Sequence, residues 1–356
     1  MMANTMQRFG DGYRHEMTEI ELRKDIEEGI QDAADRCGGS PLSDDEIKHL
    51  FDIYASPRRF VSVEPGNEIL LTHDGGTIKL NMGVSGGAGH GLGIGRRLCT
   101  EIYERVLGSD TMDFSHVDYS FKPVKNILAD EQQDMEQTLL STIIPIYYGA
   151  MPNLGSYTQP DGPFRNPTML LTEGKIEEAR EASEEMMEAA TRDMVYVASG
   201  MYEAGADGVN FDTTGGFGDV DFLATLRACE ILRKKYPNIF IEMGMAAEFI
   251  LGIHGTLTYD GVRLAGLWPH QQVKVAAKAG VTVYGPVVNT NTRRSCAWNV
   301  ARLCTMLKPC MEAAEIPVHA NMGMGVGGSP LTDIIASDAV SRGSTAAAEI
   351  AKVDGL

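Results

Sequence analysis

The chain has 356 residues, 43% hydrophobic and 22% charged, enough for about two ordinary domains or one large α/β barrel. That composition excludes a disordered tail or a small disulfide scaffold. Thirty-one Lys plus Arg against forty-nine Asp plus Glu leave a formal net charge of -18, a field that repels phosphate backbones and anionic lipid, so no nucleic acid and no membrane surface is an expected partner.

The N-terminal MMANTMQRFGDGYRH is polar, and no run approaches eighteen apolar residues, so the expected location is cytoplasmic. Residues 16–35 and 43–55 carry amphipathic helical patterns. Residues 1–50 hold twelve acids and six bases, which reads as solvated helix faces. Ser43, three residues before Glu46, predicts a capping box. In EILLTHDGGTIKLNMG the Asp74-Gly75-Gly76 turn between two apolar runs predicts a β-hairpin. The stretch 83–95 has seven glycines in thirteen positions but no G-x-G-x-x-G, so it reads as a loop rather than a dinucleotide cradle. Residues 1–109 are thus expected to form an N-terminal helical, hairpin and Gly-rich segment packed on the rest of the chain.

From residue 110 short apolar runs alternate with helices. TMDFSHVDYS leads to a helix near 124–141, STIIPIYYGAMPN to an acidic helix over 175–204, and AGADGVNFDTT to a helix near 219–235. NIFIEMGM, VRLAGLWPH, a helix near 270–279, KAGVTVYGPVVN, a helix near 296–312, EIPVHANMG and a helix near 343–351 complete the series. Such alternation predicts an α/β fold with a parallel sheet, and the length favours a (β/α)8 TIM-type barrel over an open doubly wound sheet. Helices pass into strands through Gly205 and Gly280. The last junction opens a strand at Val353-Asp354-Gly355-Leu356 with no continuation, so the barrel over 110–356 is expected to be incomplete at its C-terminus. The six cysteines show no metal-ligand spacing and read as reduced thiols, four of them in helices.

Parallel strands buried on both faces should be apolar, so polar residues near C-terminal strand ends mark where a barrel places its site. Asn210 and Asp212 share one strand face, and His319 and Asn321 share another. Glu242, Asp212, His319 and Asn289 are the catalytic candidates; Tyr148, Asn210, Asn321 and His116 are candidates for binding substrate. An unpaired carboxylate inside a barrel is costly, so Glu242 calls for a cationic partner from protein or ligand. Plainer roles stay open: Asp212 bonding local backbone amides, His319 as a satisfied core histidine, and His270 after Pro269 in a first helical turn. No lysine stands at a strand end, which argues against a Schiff-base aldolase, and no metal ligand set is expected.

The runs HVDYSFKPVK (116–125), YYGAMPN (147–153), DGVNFDTT (207–214), LAGLWPHQQ (264–272), GPVVNTNT (285–292), NMGMGVGG (321–328) and VDGL (353–356) resemble the dimethylamine methyltransferases of methylotrophic methanogens. The resemblance spans essentially the whole chain. It implies an archaeal barrel enzyme of methanogenesis that passes a methyl group from dimethylamine to the cobalt of a separate corrinoid protein, giving monomethylamine. It also implies that the catalytic residue is pyrrolysine, directly after Leu356, with no cofactor bound directly and the corrinoid carried by the partner protein. Glu242 or Asp212 would hold the cationic amine. A chain ending at Leu356 would lack the catalytic residue and be inactive. Two rival readings remain: a phosphate-binding barrel isomerase or lyase using the Gly-rich loop after His319, and an inactive chain that only binds the corrinoid protein. Assembly into a homo-oligomer is left open.

Overall fold

The computed structural model describes residues 4–10, 13–64, 154–290, 292–320 and 337–356, and residues 67, 69, 71–73, 77–79, 91–93, 111–113 and 147–149 between them. β1 (Asn4–Arg8) and β2 (Arg14–Thr18) form an antiparallel hairpin that the polar N-terminal sequence did not announce. α1 (Glu19–Cys37) comes directly after it, and it starts later than its sequence pattern because Thr18 is its cap. The Glu21 N–H donates to the Thr18 hydroxyl, the Thr18 N–H donates to the Glu21 carboxylate, and Gly38 closes the helix at φ 67°. α2 (Asp44–Ala55) opens on the expected box of Ser43 and Glu46.

The hairpin expected around Asp74 is not the pairing found. β3 (Leu71–His73) pairs in parallel with β6 (Thr111–Asp113), and β4 (Thr77–Lys79) pairs antiparallel with β5 (Gly91–Gly93). A turn signal biases local pairing, but a strand edge accepts any partner whose ladder matches. Part of the Gly-rich stretch is therefore strand. The rest of it, the helix expected near 124–141 and the boundary at 109 lie outside the described residues.

The remaining elements are, in order, β7 (Tyr147–Gly149), α3 (Pro167–Thr172), α4 (Ile176–Glu203), β8 (Gly208–Thr214), α5 (Asp219–Lys235), β9 (Phe240–Met245), β10 (Thr258–Tyr259), β11 (Val262–Arg263), α6 (Pro269–Lys278), β12 (Val283–Gly285), α7 (Cys296–Ala313) and α8 (Ser337–Ala346), which runs on into a π-helical turn over Ala347–Ala351. β7, β8, β9 and β12 form one parallel sheet in chain order. Parallel bridges from Tyr284 to Val318 and from His319 to Gly355 extend the same progression. A doubly wound sheet would reverse its strand order at a switch point, and none occurs among the described strands. The VRLAGLW run is not part of this sheet. β10 and β11 pair as a ribbon whose turn holds Asp260 at φ 48° and Gly261 at φ 75°, the left-handed pair that a two-residue hairpin requires.

Val209, Phe211, Ile241, Met243 and Tyr284 are fully buried in one apolar core with residues of α4, α5 and α6 such as Met194, Leu226 and Val273. A second core joins Leu22, Ile26 and Ile30 of α1 to Val300 and Cys304 of α7 and to Ile350, Val353 and Leu356. The five described cysteines are free, buried and helical. α1 can lie this close to α7 because Gly29 faces it: an added Cβ would stand 2.4 Å from the Trp298 carbonyl oxygen. Gly29→Ala should cost roughly 1–3 kcal/mol, read as a lower urea midpoint at unchanged slope. An unchanged midpoint would contradict this packing.

Candidate functional site

Strand register decides which polar side chains meet. Gly149 is opposite Asn210, Asn210 is opposite Glu242, and Glu242 is opposite Val283. Two residues on, Asp212 is opposite Gly244 and Gly244 is opposite Gly285. Because Tyr284 bridges Val318, His319 falls in line with Gly285. Side chains alternate along a strand, so Asn210, Glu242 and His319 share the face turned away from the helix-covered core, while the Asp212 side chain lies outside the described structure. Glu242 and His319 stand on opposite sides of β12 and meet across it, where Gly285 presents no side chain.

The contact is a hydrogen bond between His319 Nδ1 and Glu242 Oε1. The side chains are 17% and 8% exposed, so both groups are largely withdrawn from water. With Glu242 as a carboxylate, the imidazole is the donor, through Nδ1. Glu242 thus has a protein hydrogen-bond partner in the His319 ring.

The other candidates are placed differently. Asn210 is buried beside Glu242. Tyr148 is opposite Val209, in the row of Ile241, so the register takes it out of the row of Glu242; Gly149 holds that place instead. A polar side chain at a strand tip says nothing about its face until alternation is counted against a neighbour. Asn289 is exposed, four residues beyond β12. Its N–H donates to Glu248 Oε2 at 2.9 Å, and its carbonyl accepts from Arg302 at 2.7 Å. His116 and Asn321, with the Gly-rich loop after His319, lie outside the described residues. His270 is the second residue of α6, where burial and then Lys274 lower its pKa, in keeping with a first-turn role.

Two features escaped the sequence reading. Arg302 is buried against Glu248 and Asp32; burial opposes its charge, but the hydrogen bonds and charges of those two carboxylates hold its pKa above the ordinary value. The available signal was that Arg302 is the one charge in the apolar run from Cys296 to Leu307. Asp221 lies just past the loop leaving β8, where its Oδ2 accepts the Phe217 N–H at 3.0 Å and its Oδ1 is buried without a partner. Burial pushes its pKa up to about 7, against the opposing backbone hydrogen bonds. Among the described residues no group of three or more His, Cys, Asp or Glu is placed to hold a metal ion, and no helix is long and apolar enough to cross a membrane.

A family model described as dimethylamine methyltransferase matches residues 3–356. Among solved structures the chain is similar to a chitinase from Chromobacterium violaceum, at 9% identity and a TM-score of 0.36, over 71% of this chain and 67% of that one. It is also similar to the apo form of a homocysteine methyltransferase from Escherichia coli, at 13% identity and a TM-score of 0.36, over 78% of this chain and 95% of that one. At these TM-scores the likeness defines no shared fold, and the fold rests on the strand register.

Asp221 makes stability depend on pH. Its folded-state pKa of about 7 lies above the unfolded carboxylate value of about 4, so the folded state binds the proton more tightly. Its contribution is greatest below the unfolded value and is lost as pH rises through about 7. Relative to the wild type, Asp221→Asn should therefore gain on the order of 2 kcal/mol between pH 5 and pH 8 in urea titrations. Parallel pH curves for the two proteins would show that Asp221 is not held neutral.

Proposed function

The chain belongs to the dimethylamine methyltransferase family, and from that premise we propose that it moves a methyl group from dimethylamine to the cobalt of a separate corrinoid protein, releasing monomethylamine. It acts in the cytoplasm, and its parallel strands belong to a (β/α)8 barrel. The observation that carries this reading is the buried pair of Glu242 and His319, which meet across β12 on one face of the parallel sheet.

Dimethylamine is a cation at neutral pH, and a buried carboxylate offsets the cost of taking a cation out of water. Glu242 is that carboxylate. The amine must lose a proton before its nitrogen can act as a nucleophile, and His319 is the group suited to take it. Moving the proton from amine to imidazole leaves the net charge beside Glu242 unchanged, so the step adds no further desolvation cost. Asn210, adjacent to Glu242 in register, is placed to orient the amine or the carboxylate.

The family resemblance puts pyrrolysine directly after Leu356. Strand alternation supports that position: Gly355 is bridged to His319, Leu356 is buried in the second core, and the next position returns to the row of Gly355. Pyrrolysine would supply an electrophilic imine there, and the partner's corrinoid would supply the methyl acceptor. The Asp354 N–H donates to the Val318 carbonyl, and the Ala320 N–H donates to the Gly355 carbonyl. These bonds hold the segment against the strand that bears His319.

The test is dimethylamine-dependent methylation of the corrinoid protein by the full-length, pyrrolysine-containing enzyme, tracked by cobalt absorbance and monomethylamine release. Glu242→Gln and His319→Ala should each lower kcat/KM by about 10²-fold or more. Absence of methylation with the wild-type enzyme would refute the function, and full turnover by Glu242→Gln would remove the pair from the mechanism.

A further inference from the structure

The loops that leave β9 and β12 end on one buried guanidinium. Arg302, 4% exposed, donates through Nη2 to Glu248 Oε1 at 2.6 Å and through Nη1 to Glu248 Oε2 at 2.7 Å. Nη1 also donates to the Asn289 carbonyl at 2.7 Å, and Nε donates to Asp32 Oδ2 of α1 at 2.8 Å. Glu248 Oε2 accepts the Asn289 N–H, so the backbone at Asn289 is held by both members of the ion pair. The Glu248 backbone is fixed as well. Gln272 donates to its carbonyl at 3.3 Å and to the Leu267 carbonyl at 2.7 Å, while the Gln272 side-chain oxygen accepts from the Tyr284 hydroxyl at 2.5 Å.

These contacts lie on the strands and loops that carry the site. Glu248 lies six residues beyond Glu242 on the same strand and its loop, and Tyr284 and Asn289 belong to the strand and loop that Glu242 and His319 reach across. An ion pair serving stability alone could be exchanged for apolar side chains without loss. A lysine would serve equally well as a bare counter-charge. Here one planar fork meets a carboxylate with two donors, bonds a carbonyl on a second loop and still reaches a helix from the N-terminal segment, a geometry closed to a point charge.

We propose that Arg302 is a positioning residue of the transfer site. By gripping Glu248 and the backbone of Asn289 it sets the ends of β9, which carries Glu242, and of β12, across which Glu242 reaches His319, and through Asp32 it makes α1 part of the frame of that site. The proposal rests on the reading that places methyl transfer at Glu242 and His319.

The experiment uses the full-length enzyme and its corrinoid partner, at a temperature where each variant is folded by circular dichroism. Arg302→Lys should fold yet lose roughly tenfold to a hundredfold in kcat/KM for dimethylamine. The apolar pair Glu248→Leu with Arg302→Met should recover the thermal midpoint without recovering kcat/KM. Either variant, folded and within twofold of wild-type kcat/KM, overturns the proposal; if the apolar pair does not fold, Arg302→Lys alone decides. A second readout needs no turnover. In ¹⁵N-histidine NMR the His319 ring signals should move in Arg302→Lys although Arg302 does not touch that ring, and unmoved signals overturn the positioning role. A wild-type enzyme inert toward dimethylamine, with His319 signals that still respond to Arg302→Lys, would sink the functional reading and leave the positioning role standing.

Discussion

In a parallel sheet covered by helices on one face, each strand residue has one of two destinations, and the next residue has the other. That two-residue alternation governs this molecule. It sends Val209, Phe211, Ile241 and Met243 into the core under α4, α5 and α6, and it sends Asn210 and Glu242 to the opposite face. A one-residue slip of β9 would drive the Glu242 carboxylate among buried methionines and leucines, where a bare charge is strongly disfavoured. The apolar residues of β9 therefore hold the register, and the register delivers Glu242 to His319. The contact between Glu242 and His319 is a consequence of how the core packs.

Charge obeys the same division between surface and interior. Exposed acids lie on solvated helix faces, as at Glu177, Glu178 and Glu181 of α4, and the net charge of -18 disfavours phosphate and anionic lipid. Inside, charge is matched locally. Glu248 meets Arg302, Asp219 accepts the backbone N–H groups of His254 and Gly255, and Glu242 is hydrogen-bonded to His319. Asp221, with one carboxylate oxygen left without a partner, meets burial instead by holding its proton up to about pH 7.

The two ends of the chain converge on the same frame. α1 lies on α7 through Gly29 and reaches Arg302 through Asp32, while the last residues pair with the strand of His319. The Val318 N–H donates to the Asp354 carboxylate at 2.8 Å, tying the C-terminal segment to the strand next to β12. Asp32 thus ties α1 to the buried Arg302, which also holds the backbone at Asn289.

Helix periodicity, capping chemistry and the alternation of apolar runs with helices are local properties, and they made α2, α4, α5 and the parallel order of β8, β9 and β12 legible in the sequence. The motif runs made the family legible, and strand-end polarity picked out Glu242 and His319. Pairing partners were not legible: β3 and β4 found β6 and β5 rather than each other, and Tyr148 fell in the row of Val209. Nor was the meeting of Asp32, Glu248, Asn289 and Arg302, four residues spread over 271 positions of chain. A hydrogen bond between distant segments leaves no periodic trace in sequence, because its geometry exists only once the helices and strands carrying its two ends have packed.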